Sequence, residues 1–189
     1  MITRKEWRAA REWAWDLVQQ AGVVVQPAEF EQMEVADVGL SELPAVGLQI
    51  LTLVSTRWVG VKLLILRPNQ FFPQHRHPPN PAEGYPGKEE IFRGQWGEAY
   101  LYVPGEPTPD AKVHPPAHRR PHCTVWHEVV LKPGDQYRVA PNTWHWFQAG
   151  PQGAVVWSFS SKVTDVHDEF TDPEVVRETT IVDEPSDPA

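Results

Sequence analysis

The chain carries a single cysteine, Cys123, in 189 residues. An internal disulfide is therefore impossible, which suits a reducing compartment. Nothing around Cys123 announces the activating environment a catalytic thiol needs, so it is read as a small, partly buried residue. Positive charge is also scarce: 17 Lys and Arg stand against 25 Asp and Glu, a formal charge of −8. With no basic stripe to offset it, this charge argues against nucleic acid and against an anionic membrane as partners. No apolar run is long enough to span a bilayer, and the N-terminal residues carry none of the signal-peptide type. The expectation is a cytoplasmic protein. Internal repeats of solenoid type are absent as well.

Length implies one domain plus extensions, with enough chain to bury a core without disulfide or metal staples. Three segments are expected: a helical extension over 1–45, a β domain over 46–170 and an acidic tail over 171–189. Residues 3–21 have the pattern of an amphipathic helix. Thr3 and Glu6 have capping-box spacing and Gly22 stands where a helix-ending glycine belongs. Trp7, Ala10, Ala14, Leu17, Val18 and Ala21 share a face, suited to core packing or to a subunit contact. A second short helix is expected after Pro27, carrying Phe30 and Met33. Twenty prolines cluster at 78–86 and 104–121 and mark loops. From Val46 on, β-branched and aromatic runs alternate with turn residues. Strands are expected at 47–55, 58–67, 70–75, 89–93, 98–103, 124–131, 136–139, 144–149 and 154–160, an antiparallel sandwich or barrel. The end of the tail reads as extended or disordered.

The chemistry concentrates at His75-Arg76-His77. Two histidines one residue apart on a strand project from the same face. Glu90 follows in Lys88-Glu89-Glu90-Ile91-Phe92, where it shares a face with Phe92 while Glu89 points away. His145 follows the turn Pro141-Asn142-Thr143-Trp144 and shares a face with Phe147 and Ala149. Three neutral imidazoles and one carboxylate suit a divalent transition metal with positions left for substrate. Lys62 is conspicuous in the apolar run Val61–Leu66.

These residues resemble the cupin superfamily, which implies an antiparallel β-barrel or jelly roll. The first cupin motif is traced by Asn69, His75, His77, Glu90 and Gly97, with Asn69 in place of a glycine and a long Pro-rich insert at 78–89. The second is traced by Gly134 and His145, with Ala140 for proline, Asn142 for glycine and Ala149 for asparagine. A closer resemblance is to the D-lyxose isomerase family of sugar-isomerising cupins. It runs through His75-Arg76-His77-Pro78-Pro79, Gly87–Arg93, Tyr100–Val103, Thr124–Glu128, Pro141–Gly150 and His167–Pro173. The resemblance implies a homodimeric aldose–ketose isomerase, acting on a monosaccharide of the lyxose/xylulose or mannose/fructose type through an enediol. His75, His77, Glu90 and His145 would hold Mn2+, with Zn2+, Fe2+ and Co2+ accepted by the same ligand types.

The family pattern has an acidic residue near Ser158 in the last core strand; this chain has none. A proton carrier must then come from elsewhere, with Glu128, Asp165 and Asp168 as candidates. Lys62 is expected to stabilise an oxyanion. Substrate-binding candidates are Lys62, Arg93, Phe147 and one of Trp126 and His127, which alternate faces. His114, His118 and His122 read as solvated loop residues, and His167 as a structural histidine beside acids. Two other readings of the same scaffold are an iron oxygenase and a non-catalytic sugar-binding module.

Overall fold

A computed structural model describes residues 1–183. The end of the acidic tail, expected to be extended or disordered, lies outside them at 184–189. Among the described residues eleven strands and two α-helices follow in order: β1 Ile2–Thr3, α1 Arg4–Gln20, α2 Pro27–Glu31, β2 Glu34–Ala36, β3 Leu48–Ser55, β4 Gly60–Leu66, β5 Phe71–Arg76, β6 Glu90–Val103, β7 His127–Leu131, β8 Gln136–Val139, β9 His145–Ser160, β10 Glu169–Phe170 and β11 Ile181–Val182. The architecture is mainly β, as expected. Nine strands form one antiparallel sheet, in which β9 pairs with β4, β5 and β6.

β9 and β6 are each longer than the sequence suggests. The expected pairs 89–93 with 98–103, and 144–149 with 154–160, are single strands of 14 and 16 residues. The glycines and proline between them read as turns but act as bulges. Register shifts fall between Gly94 and Trp96 and between Gly97 and Ala99. Gly97, paired with Ala154, and the preceding Gly153 have φ of 67° and 89°. A Cβ on Gly97 would lie 2.2 Å from the Gly153 carbonyl oxygen. Only glycine combines that conformation with that approach.

α1 begins on the predicted capping box: Thr3 accepts from the Glu6 backbone N–H, and Glu6 accepts from that of Thr3. Its Ala14, Leu17 and Val18 pack on Leu51, Leu63, Ile65 and Val155, the outer face of β3, β4 and β9. At roughly 1.5–3 kcal/mol for each large buried side chain, this layer fixes the helix to the sheet. Trp13 and Trp15 join the same cluster and Trp7 packs on a neighbouring one. The extension is stitched in further, since β2 adds to β3 and β1 pairs in parallel with β11.

The other face of the sheet closes around a second core. Tyr102 and Trp146 stack at 3.8 Å between ring centroids, with Phe71 and Trp126 edge-on to Trp146. Leu48, Ile50, Leu64, Phe72, Phe92 and Phe147 line the neighbouring part of the interior. There the packing opens into a cavity.

Candidate metal centre

Sheet register brings the histidines together. His75 on β5 lies opposite His145, the first residue of β9. His77 continues from β5 with the same side-chain polarity, and its ring centre lies 5.1 Å from that of His75. All three are buried, and one ring nitrogen from each comes within 4.8 Å of the others. Asn69 and Asn142, which replace cupin-motif glycines, both adopt left-handed conformations at φ 59° and 58°. Each supplies the tight turn that launches a histidine-bearing strand.

Every imidazole is oriented by a fixed acceptor. Nδ1 of His75 meets the Pro73 carbonyl at 2.9 Å, Nδ1 of His145 the Thr143 carbonyl at 2.9 Å, and Nδ1 of His77 the Asp168 carboxylate at 2.6 Å. With Nδ1–H donating at His75 and His145, their Nε2 lone pairs are left for a ligand, while Nε2 of His77 faces Glu90. This is the arrangement that orients metal-binding histidines. Nε2 of His145 is buried and has no hydrogen-bond partner among the described residues. An orphaned acceptor of this kind is costly unless something binds it. The residues present therefore fit a divalent metal.

Burial and the neighbouring His77 push His145 down to about 4, and burial with the His145 and His77 imidazoles pushes His75 well below the ordinary histidine range. Both are neutral at physiological pH, the form that ligates. Glu90 reaches Nε2 of His77 at 2.9 Å, and its other oxygen accepts from the Ser158 hydroxyl. Burial alone would raise its pKa, but Lys88 and His77 hold it well below the carboxylate range. Glu89 points outward to Arg138, as strand parity requires.

Above the histidines stands a cluster of charges. Lys62 lies opposite Ser158, which lies opposite Phe92, so all three share the inner face. Lys62 is bonded to Asp165, which also meets Lys88 Nζ at 3.0 Å and the Arg177 guanidinium at 3.7 Å. Burial and the nearby Lys88 pull Lys62 down to about 8. Asp165 and Asp168 come from the segment after β9. Phe147 lines the cavity with Leu64, Phe72 and Phe92.

Four expected site residues lie elsewhere. Glu128 on β7 accepts from the Tyr102 hydroxyl and the Lys112 backbone, and it does not line the metal cavity. The Trp126 indole donates to the Cys123 carbonyl and packs edge-on to Tyr102. His127 is exposed and bonds the Glu106 carbonyl. Arg93 is exposed beside Gln136, because it follows inward-facing Phe92 by one residue. Loop residues His118 and His167 are also exposed, and His118 pairs with Glu42. Cys123 is buried, which pushes its thiol up to about 12.

Two charged cavity residues were not anticipated. Lys88 is two positions before Glu90, a spacing that strand parity could have flagged. Arg177 sits in the tail, where nothing local marks it.

A cupin-like barrel with an inward-facing histidine triad is the class that this fold and site define. No protein-family model matches the chain. It is 47% identical over 182 residues to a D-lyxose ketol-isomerase of Thermofilum sp. (strain ex4484_79), covering 96% of this chain and all (100%) of that one. It is 45% identical to a D-lyxose/D-mannose isomerase of Thermosediminibacter oceani, covering 94% and 97%. Among solved structures it resembles the L-ribose isomerase of Cellulomonas parahominis, with a TM-score of 0.79, 18% identity and coverage of 96% and 98%. The chain belongs to the D-lyxose ketol-isomerase family.

Proposed function

We propose that the protein is a metal-dependent aldose–ketose isomerase that interconverts D-lyxose with D-xylulose and D-mannose with D-fructose. The observation that carries this reading is the buried cluster of His75, His77 and His145, the first two of which line a cavity together with Glu90, Asp165, Asp168, Lys62 and Lys88. His75, His77, His145 and Glu90 would hold the metal, and Mn2+ is the ion we assign. When bound there, a divalent cation supplies Lewis-acid polarisation of a carbonyl and its neighbouring hydroxyl.

The remaining chemistry falls to the chain's own groups. Isomerisation needs a base that takes the proton from one carbon and returns it to the next, through an enediol. With Ser158 in the family's carboxylate position, we assign this role to Asp165. Glu128 is excluded by its place outside the cavity, and Asp168 is engaged in orienting His77. Lys62 balances negative charge developing on the substrate oxygen. Phe72, Phe92 and Phe147 exclude water from the reacting carbons.

Exposed Val54, Trp58, Val59 and Phe159 on the β3, β4 and β9 side of the sheet support a homodimer. The lone buried thiol supports a cytoplasmic location. Incubating manganese-loaded protein with a panel of aldoses and ketoses, followed by sugar analysis, tests the function. D-Xylulose from D-lyxose is the expected product. Absence of turnover on every pentose and hexose would overturn the reading.

A further inference from the structure

The metal cavity is too small for its substrate. Its volume is about 40 Å³. At roughly 10–15 Å³ per water on the same measure, it holds about three waters. A pentose brings five carbons and five oxygens. Something in the wall has to move.

The segment Lys162–Asp168 is the part of the wall built to do so. Lys62, Asp165 and Arg177 line the metal cavity on one side and an outer cleft of about 550 Å³ on the other. A second cleft of about 330 Å³ lies between the segment and the loop from Pro78 to Tyr85. The strap thus runs with open space along both flanks. Among the described residues, no backbone–backbone hydrogen bond joins 162–168 to another element. Its ends are tied instead. Ser161 N–H bonds the Glu89 carbonyl at 3.1 Å, and Asp168 holds His77 before β10 pairs with β5. The middle is fastened by the Asp165 side chain to Lys62, Lys88 and Arg177, and Lys162 at its start pairs with Glu83 while its carbonyl accepts from the Tyr85 hydroxyl. Val166, beside Asp165, is 73% exposed.

We propose that residues 162–168 form a gate. It swings away from Lys62 and Lys88 to admit a monosaccharide from the outer cleft, then closes to bring Asp165 onto the bound sugar. Closure couples substrate capture to the arrival of the carboxylate and excludes bulk water. This inference rests on the isomerase reading.

A reversible lock tests it. A Cβ on Gly60 would lie 2.6 Å from Cγ2 of Val163, which puts the two positions within reach of a disulfide once the Ser160 hydroxyl, equally close, turns aside. Buried Cys123 does not compete. The manganese-loaded Gly60→Cys/Val163→Cys protein, oxidised and verified by mass, should lose at least tenfold in kcat/KM on a sugar that the unaltered protein turns over. Metal content should be unchanged and dithiothreitol should restore the rate. Equal rates in the locked and reduced forms would overturn the gate. Should the double variant not fold, hydrogen exchange on the unaltered manganese-loaded protein decides. Amides of 162–168 that exchange far faster than those of β9 support a gate, and equal protection overturns it. If the unaltered protein turns over no sugar, the isomerase reading fails by itself, and the exchange measurement still judges the strap.

Discussion

Replacing Asp168 with Asn tests how the metal site is oriented. Two of the three histidines are aimed by backbone carbonyls, Pro73 for His75 and Thr143 for His145. Mutation cannot remove those acceptors. His77 alone relies on a side chain, through a 2.6 Å contact with a carboxylate that is 5% exposed. Asn keeps an acceptor oxygen and nearly the same volume but loses the charge. A charge-assisted bond is roughly twice as strong as a neutral one. Losing such a partner of a metal-bound histidine costs about 10- to 100-fold in metal affinity, equivalent to about 1.4–2.7 kcal/mol. Asp168→Ala should cost more, because it leaves a buried Nδ1–H without an acceptor, at about 1–3 kcal/mol for the unmade bond. Calorimetric Mn2+ titration of the apo-protein measures both. At saturating Mn2+ the Asn variant should recover most of its kcat, which separates orientation of His77 from proton transfer. An unchanged Mn2+ affinity in both variants would refute the orienting role. A kcat that stays depressed at saturating metal would assign Asp168 to the chemistry.

Other outcomes follow from the same geometry. His145→Ala should abolish stoichiometric Mn2+ binding and turnover together, read by metal analysis of the dialysed protein. Asp165→Asn should lower kcat by at least about 100-fold, in the range typical of a lost acid–base group, while Glu128→Gln should stay within about twofold because Glu128 lies outside the cavity. Lys62 carries its proton below about 8, so activity that depends on its charge should decline as pH rises through that value; Lys62→Met should remove this limb of the pH–rate profile. The apo-protein should lose stability in acid. Unfolded His145 takes up a proton near 6.5, whereas the folded residue resists until about 4. Its contribution is therefore complete above pH 6.5 and lost as pH falls to 4, on the order of 3 kcal/mol. Urea titrations across that interval should show the slope, and His145→Gln should flatten it.

Much of the site was legible in the sequence because strands alternate faces every residue. That rule aligned His75 with His77, chose Glu90 over Glu89, and put Phe92 and Phe147 on the histidine side. It also would have aligned Lys88 with Glu90. Turn chemistry was legible too, since asparagine tolerates the left-handed conformation found at Asn69 and Asn142. The capping box at Thr3 and Glu6 is an equally local signal.

Tertiary structure alone decided what depends on a distant partner. Gly97 and Gly153 read locally as turn residues, but pairing between β6 and β9 converts them into bulges inside long strands. Trp126, His127 and Glu128 sit in a stretch rich in site-like residues. Pairing of β7 with β6 sets Glu128 against Tyr102 and leaves His127 in solvent, and the Trp126 indole is held on the Cys123 carbonyl, so none of them lines the cavity over the histidines. Asp165 and Arg177 belong to segments without periodicity, so their direction is set only where the chain returns across the barrel mouth. The sequence by itself determined which side chains share a strand face, because that is a property of neighbouring residues. The fold decided which carboxylate and which cations meet above the histidines, because that depends on the path of a loop and tail held by ion pairs between distant segments, Lys62 with Asp165 across 103 residues and Glu34 with Arg177 across 143.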